Sequence, residues 1–178
     1  MNVFQNELTN GRFLSVYDET EQAGSFHVCR FLCCDEVHIL FQAITTRGYD
    51  DGFYLIPFDC VYRVDMDDEY TERIALLFQL HEQPLIDHCF FNKKESLLLQ
   101  MLRYAQTHRF VISLFLENED DITGRILDID TDGNSLCIEK LTESGKKDGT
   151  IYLDLRCIEK IICNSGVERC IEMLSKHG

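Results

Sequence analysis

The feature that most constrains this chain is a pattern of short β-branched and aromatic runs, each closed by a polar turn, that is written twice. In the downstream copy, Phe110 to Leu116 is a nearly unbroken apolar run, too short for a helix and bounded by Glu117 to Asp121. That reads as a buried strand ending in a solvated turn. Ile122 to Asp130 carries Gly124 inside a strand pattern, where the missing side chain permits a sharp bend. Asp132-Gly133-Asn134 has turn chemistry. Leu136 and Ile138 alternate with Cys137 and Glu139, and the polar loop Glu143 to Gly149 precedes two closing strands, Ile151 to Leu155 and Arg156 to Ile162. In the last of these, Ile158, Lys160 and Ile162 share one face.

The upstream copy runs from Arg12 to Val64, with strands expected at Arg12 to Tyr17, Gly24 to Leu32, Val37 to Ile44, Phe53 to Phe58 and Cys60 to Val64. Matching residues keep a constant spacing. Arg12 and Arg109, Gly48 and Gly145, Gly52 and Gly149, and Cys60 and Cys157 are each 97 residues apart. Gly24 and Gly124 are 100 apart, a difference that a turn three residues longer absorbs. A spacing held through strand, loop and trailing segment marks a tandem repeat. The expected organisation is a first barrel with trailing helix over 1–80, a packed connector over 81–91, and a helix, second barrel and C-terminal helix over 92–178.

Three helices are expected around the strands. Asn92-Lys93-Lys94-Glu95 fits a capping box that opens a helix with Leu98, Met101, Leu102 and Ala105 on one stripe. Ser165-Gly166-Val167-Glu168 is a second box, with Val167, Cys170, Ile171 and Leu174 as its stripe. Thr71 to Leu80 is its upstream counterpart. All three stripes read as packing surface. The connector HEQPLIDHCFF is too apolar for a flexible linker and is expected to lie packed between the barrels.

The run Gly124-Arg125-Ile126-Leu127-Asp128-Ile129-Asp130, followed by Asn134 and Leu136, resembles the first signature of the Sm-like family (Sm, Lsm and bacterial Hfq proteins). Ile151 to Ile161 is similar to that family's last two strands, and Phe53 to Val64 resembles them upstream. The resemblance implies a mostly β chain of two tandem five-stranded SH3- or Sm-like barrels with short helices. It also implies RNA contacts at Asp130, Asn134 and Arg156, with the tip DTDGN acidic where phosphate would approach. Sm-like rings pair the fourth strand of one barrel with the fifth of the next; Pro57, in the first fourth strand, removes a donor and disfavours a large ring over limited self-association.

Charge is unevenly spread. Residues 1–90 hold five arginines, no lysine and sixteen acids, a net of −11; residues 91–178 hold twelve basic and fifteen acidic residues, a net of −3. Nucleic-acid affinity draws mainly on Lys and Arg at phosphates, which the net charge of the first half opposes. No run of about 18 apolar residues exists to span a membrane. Nine cysteines without a visible secretory leader point to a reducing, cytoplasmic setting.

The cysteines and histidines (Cys29, Cys33, Cys34, His38, Cys60, His88, Cys89) lack a CxxC pair, and adjacent Cys33 and Cys34 face opposite ways on a strand. Buried thiols acting as small hydrophobes fit them better than a metal site. Neighbouring acids argue against a thiolate nucleophile, and the acid pairs Asp50-Asp51 and Asp120-Asp121 lie in turn-like stretches. No catalytic residue, cofactor or metal is expected. The reading is a non-enzymatic interaction or regulatory module that binds a protein partner, a basic one suiting its acidic loops, with RNA binding by the second barrel as the alternative.

Overall fold

The computed structural model describes residues 11–18, 25–86, 94–117, 121–132 and 134–177. The lead-in Met1 to Asn10, most of the Asp18 to Glu21 turn, Gly24, His88, Cys89, the Asn92 cap, Asp120 and Gly133 lie outside them. The described residues form ten strands and three α-helices, a mostly β chain whose described strand pairs are all antiparallel. They divide into two units, Met1–Leu97 and Leu98–Gly178.

The first unit contains β1 (Phe13–Asp18), β2 (His27–Cys34), β3 (His38–Ile44), β4 (Asp50–Pro57), β5 (Val61–Asp65) and α1 (Glu69–Leu80). Its strands lie in the order β5-β1-β2-β3-β4. β3 is buried along its whole length because both of its faces are covered. Ile39 and Phe41 join Leu14, Val16, Cys29, Phe31, Ile56 and Val61 in a core fed by all five strands. From the other face, Ile44 meets Val28 and the α1 residues Ile74 and Phe78. Complete burial of a side chain such as Phe78 contributes about 1.5–3 kcal/mol.

α2 (Leu97–His108) leads into the second unit, with β6 (Ile112–Leu116), β7 (Ile122–Asp130), β8 (Ser135–Leu141), β9 (Lys147–Asp154), a 3-10 turn at Leu155–Cys157, β10 (Ile158–Cys163) and α3 (Gly166–Ser175). The order is β10-β6-β7-β8-β9, the same permutation as in the first unit. No described pairing within either unit joins the fourth strand to the fifth, so the pairings define open five-stranded sheets, and barrel closure is not among them. At Gly124, β7 pairs with Ile112 on one side and Lys140 on the other. A Cβ there would sit 2.3 Å from the Glu139 carbonyl oxygen, which accounts for the glycine.

The 97-residue spacing persists in three dimensions. Thr45 and Thr142 open identical turns: the Gly48 and Gly145 amides each donate to the threonine carbonyl at 2.8 Å, and the next amide donates to the threonine hydroxyl at 3.1 Å. Both glycines have φ of +76°, and in both cases an added Cβ would strike the trailing helix, at 2.5 Å from Leu77 Cβ for Gly48 and 2.4 Å from the Ser175 amide for Gly145. A left-handed backbone and no room for a side chain together demand glycine.

The trailing helices begin in the same way with the charges exchanged. Asp68 caps α1, accepting from the Tyr70 and Thr71 amides at 3.0 Å and from the Thr71 hydroxyl, which in turn contacts Ser15 of β1 at 2.8 Å. In the second unit Ser165 is the cap, and the buried Glu168 returns to the Ser165 amide at 3.0 Å while accepting from Ser113 of β6 at 2.7 Å. The capping box expected at Ser165 is therefore present.

Of its expected stripe only Ile171 is buried. Glu168 and Ile171 face inward on α3, whereas Val167, Cys170 and Leu174 are exposed, because burying the capping carboxylate turns the helix away from the phase its apolar residues suggest. α2 follows expectation at Met101, Leu102 and Ala105, which are buried, while Leu97 is buried and the expected Leu98 only half-buried. Ile158 and Lys160 do not share a face as expected, because a register shift between them sets Ile158 opposite Leu116 and Lys160 opposite Phe115; Lys160 is buried, its ammonium 4.9 Å from the Phe115 ring. The described part of the connector packs on the first unit. The Asp50 amide donates to the Gln83 side chain, the Gln42 amide group to the Pro84 carbonyl and Arg30 to the Ile86 carbonyl, all within 3.0 Å.

Candidate functional site

The β7–β8 turn and the segment joining β9 to β10 meet at one end of the second unit. Asn134 has φ of +52°, a conformation that asparagine tolerates better than most residues. Its carbonyl accepts from the Leu155 amide at 3.0 Å and its side-chain amide donates to Asp154 Oδ1 at 2.7 Å. Asp154 caps the 3-10 turn through the Arg156 amide at 2.8 Å, and its carboxylate holds the Arg156 guanidinium in a two-pronged pair, with contacts of 2.5 and 2.9 Å. The side-chain bond from Arg156, followed by its backbone amide, holds the Asp154 carboxyl down at about 2, from an ordinary 3.8.

Two of the three expected site residues, Asn134 and Arg156, are thus gathered around Asp154, a residue that sequence reasoning passed over. Asp130 stands one pair further along, opposite Ser135, where its carboxylate accepts from the Asp132 amide at 3.1 Å. Arg156 is matched by Asp154, and Asp130 and Asp132 bring two further acidic side chains to this end. The cluster is built to hold a turn.

The same end of the first unit keeps the frame and none of the side chains. The Phe58 amide donates to the Val37 carbonyl at 2.7 Å, as Leu155 does to Asn134. Pro57 pairs with His38 as Asp154 pairs with Ser135. At this spacing Val37, Pro57 and Asp59 replace Asn134, Asp154 and Arg156.

The described cysteines form no disulfide. Burial pushes the Cys29 and Cys163 thiols up, and burial with neighbouring Cys34 and Asp35 pushes Cys33 to about 12. These three thiols are protonated at neutral pH and are weak nucleophiles there. Among the described residues no three His, Cys, Asp or Glu side chains converge as a metal ion requires, and no helix is long and apolar enough to cross a membrane.

A second feature went unread in the sequence. Val167, Met173 and Leu174 are 64, 57 and 49% exposed, and with exposed Cys170 they form one apolar face of α3. The signal that could have exposed it was the capping box itself, since a Glu drawn inward by its cap fixes which helix face is buried.

The chain matches no family model, no curated protein sequence and no solved structure.

Proposed function

We propose that this chain is a non-enzymatic, cytoplasmic interaction module of two Sm-like barrels that binds a protein partner. The observation that carries the reading is the exposed apolar face of α3. Surfaces of this kind on soluble proteins serve protein contacts, and Val167, Cys170 and Leu174 recur at helical spacing with no cover from the described residues. The five-strand order found twice, with one core fed by all five strands of the first unit, supports the Sm-like part. Cysteines held as thiols suit a reducing compartment.

The test is a photo-crosslinking residue placed at Met173 in the full chain, expressed in cells. The reading expects a discrete protein adduct that is lost when Val167 and Leu174 are changed to glutamate. Adducts to RNA alone, or none, contradict it.

RNA binding is the runner-up, favoured by the gathering of Asn134 and Arg156 at one end of the second unit. It ranks second because Asp154 already consumes both side chains. Retention of total cellular RNA that falls steeply with salt would reverse the ranking. Pro57, at the end of β4, favours limited self-association over a large ring.

A further inference from the structure

The two units carry matching clefts with different contents. Arg30 and Arg125 occupy the same place, opposite Gln42 and Glu139 in the strand register. Beside Arg30 is a cleft of about 420 Å³ bordered by Phe78 and Gln79; beside Arg125 is one of about 590 Å³ bordered by Ser175 and Lys176, 97 residues further on. In the first unit a later segment of the chain borders the cleft. Gln83 and Leu85 are among its walls, and the main-chain carbonyls of Pro84 and Ile86 accept hydrogen bonds from Gln42 and Arg30.

In the second unit the cleft is basic. Arg125 is half-buried and oriented by the Ser175 hydroxyl at 2.5 Å, while Glu139, 3.9 Å from it, is engaged by Lys147 at 2.9 Å. Lys176 and His108 add to the wall, with Glu172 paired to Lys176 at 2.6 Å. Arg109 decides the sign. It corresponds to Arg12, whose guanidinium is paired with Asp67 at 2.5 Å. The residue at the Asp67 position is Asn164, which shares its left-handed backbone (φ of +57° against +60°) and lacks its charge. Arg109 makes no side-chain hydrogen bond or ion pair with the described residues, and it stands at the cleft with φ of +56°, where glycine is the easier choice.

We infer that this cleft of the second unit receives an extended acidic peptide segment from a protein partner, its carbonyls and carboxylates taken by Arg125, Arg109 and Lys176. The first unit supplies the precedent for a chain segment held at this place through its main-chain carbonyls, and the exchange of Asp67 for Asn164 supplies the charge preference. The volume lies within the range of about 300–1,000 Å³ typical of binding clefts. This inference rests on the protein-partner reading and deepens it by naming a partner segment.

The test uses the full chain and three acetylated hexapeptides: HEQPLI, copied from residues 81–86; the same peptide with Asp replacing its His and Gln; and a version with Lys at those two places. Amide chemical shifts report the position of binding. The acidic peptide is expected to shift His108, Arg109, Arg125 and Ser175 and to bind at least fivefold tighter than the lysine version. Asn164→Asp, which restores the neutralising carboxylate without adding bulk, and Arg109→Ala, at an exposed position, should each weaken it at least threefold. Absence of shifts at these residues up to millimolar peptide, equal binding of the acidic and lysine versions, or affinity unchanged in both variants would overturn the inference. Competition by inorganic phosphate at equal concentration would also overturn it, by showing a small-anion site. Val167→Glu with Leu174→Glu should leave peptide binding intact. Loss of peptide binding with the α3 crosslink preserved therefore sinks this inference alone, whereas loss of both sinks the reading beneath it.

Discussion

Where the second strand of each unit turns into the third, the backbone does the same thing twice and the side chains do opposite things. Val37 and Asn134 each accept a main-chain bond from the residue 21 positions later, at 2.7 and 3.0 Å. Around Asn134 a carboxylate and a guanidinium complete a side-chain cluster; around Val37, with Pro57 and Asp59 at the matching positions, the Asp35 carboxylate instead binds main chain, accepting from the Val37, His38 and Leu97 amides at 2.9, 2.7 and 2.7 Å. The helix joint repeats the lesson, since Asp68 with Thr71 and Ser165 with Glu168 reach one geometry with the carboxylate at different places. Main-chain hydrogen bonds and close glycine contacts hold the frame, so the side chains at the ends were able to diverge without unfolding it.

The largest effect should come from attacking the shared frame. Gly48→Ala and Gly145→Ala each put a Cβ within 2.5 Å of a helix at positive φ, and each should cost roughly 2–4 kcal/mol in denaturant unfolding. Costs below about 1 kcal/mol in both would mean that the close turn-to-helix contact is absent. The next effect separates the two joints. Glu168→Ala strips a buried hydroxyl and a cap amide of their acceptor and should cost about 2–3 kcal/mol, against about 1–2 for Thr71→Ala, which removes a hydroxyl link. Equal losses would erase the contrast drawn between the caps.

Smaller still is the polar cluster. Asp154→Asn should change stability less than either cap variant, because its pair with Arg156 is solvent-exposed. The smallest effect is in pH. With its folded value depressed to about 2, the Asp154 carboxylate adds its stabilisation above the unfolded value of about 4 and loses it as pH falls toward 2. Carboxyl chemical shifts should show it titrating near 2 in the native chain and closer to the ordinary range in Arg156→Ala. A normal midpoint in the native chain would mean that the pair does not form in solution.

Much of the frame was legible before any coordinates. The span Ile122 to Asp130 was read as a strand to the residue, and Gly48 with Gly145 could be paired from spacing alone, because turns with positive φ leave glycines behind. The buried face of α3 was misread, since the rule that apolar residues point inward fails where a capping carboxylate is the buried group, and only the capping box carried the signal. Asp154 was missed because its role depends on two loops meeting, which no local pattern records. The basic cleft of the second unit was missed for a similar reason. Arg109, Arg125 and Lys176 come from α2's end, β7 and α3's end, and only the fold puts them side by side.

The claim on which the rest depends is that one frame is used twice, and amide hydrogen exchange tests it most directly. Gly48 and Gly145, and likewise Phe58 and Leu155, donate matching main-chain hydrogen bonds. Both members of each pair should be protected from exchange in the native chain, and Gly145→Ala should strip protection from the Gly145 turn and its contact with α3. Protection in one member of each pair, with its counterpart exchanging at the rate of an open chain, would contradict the account.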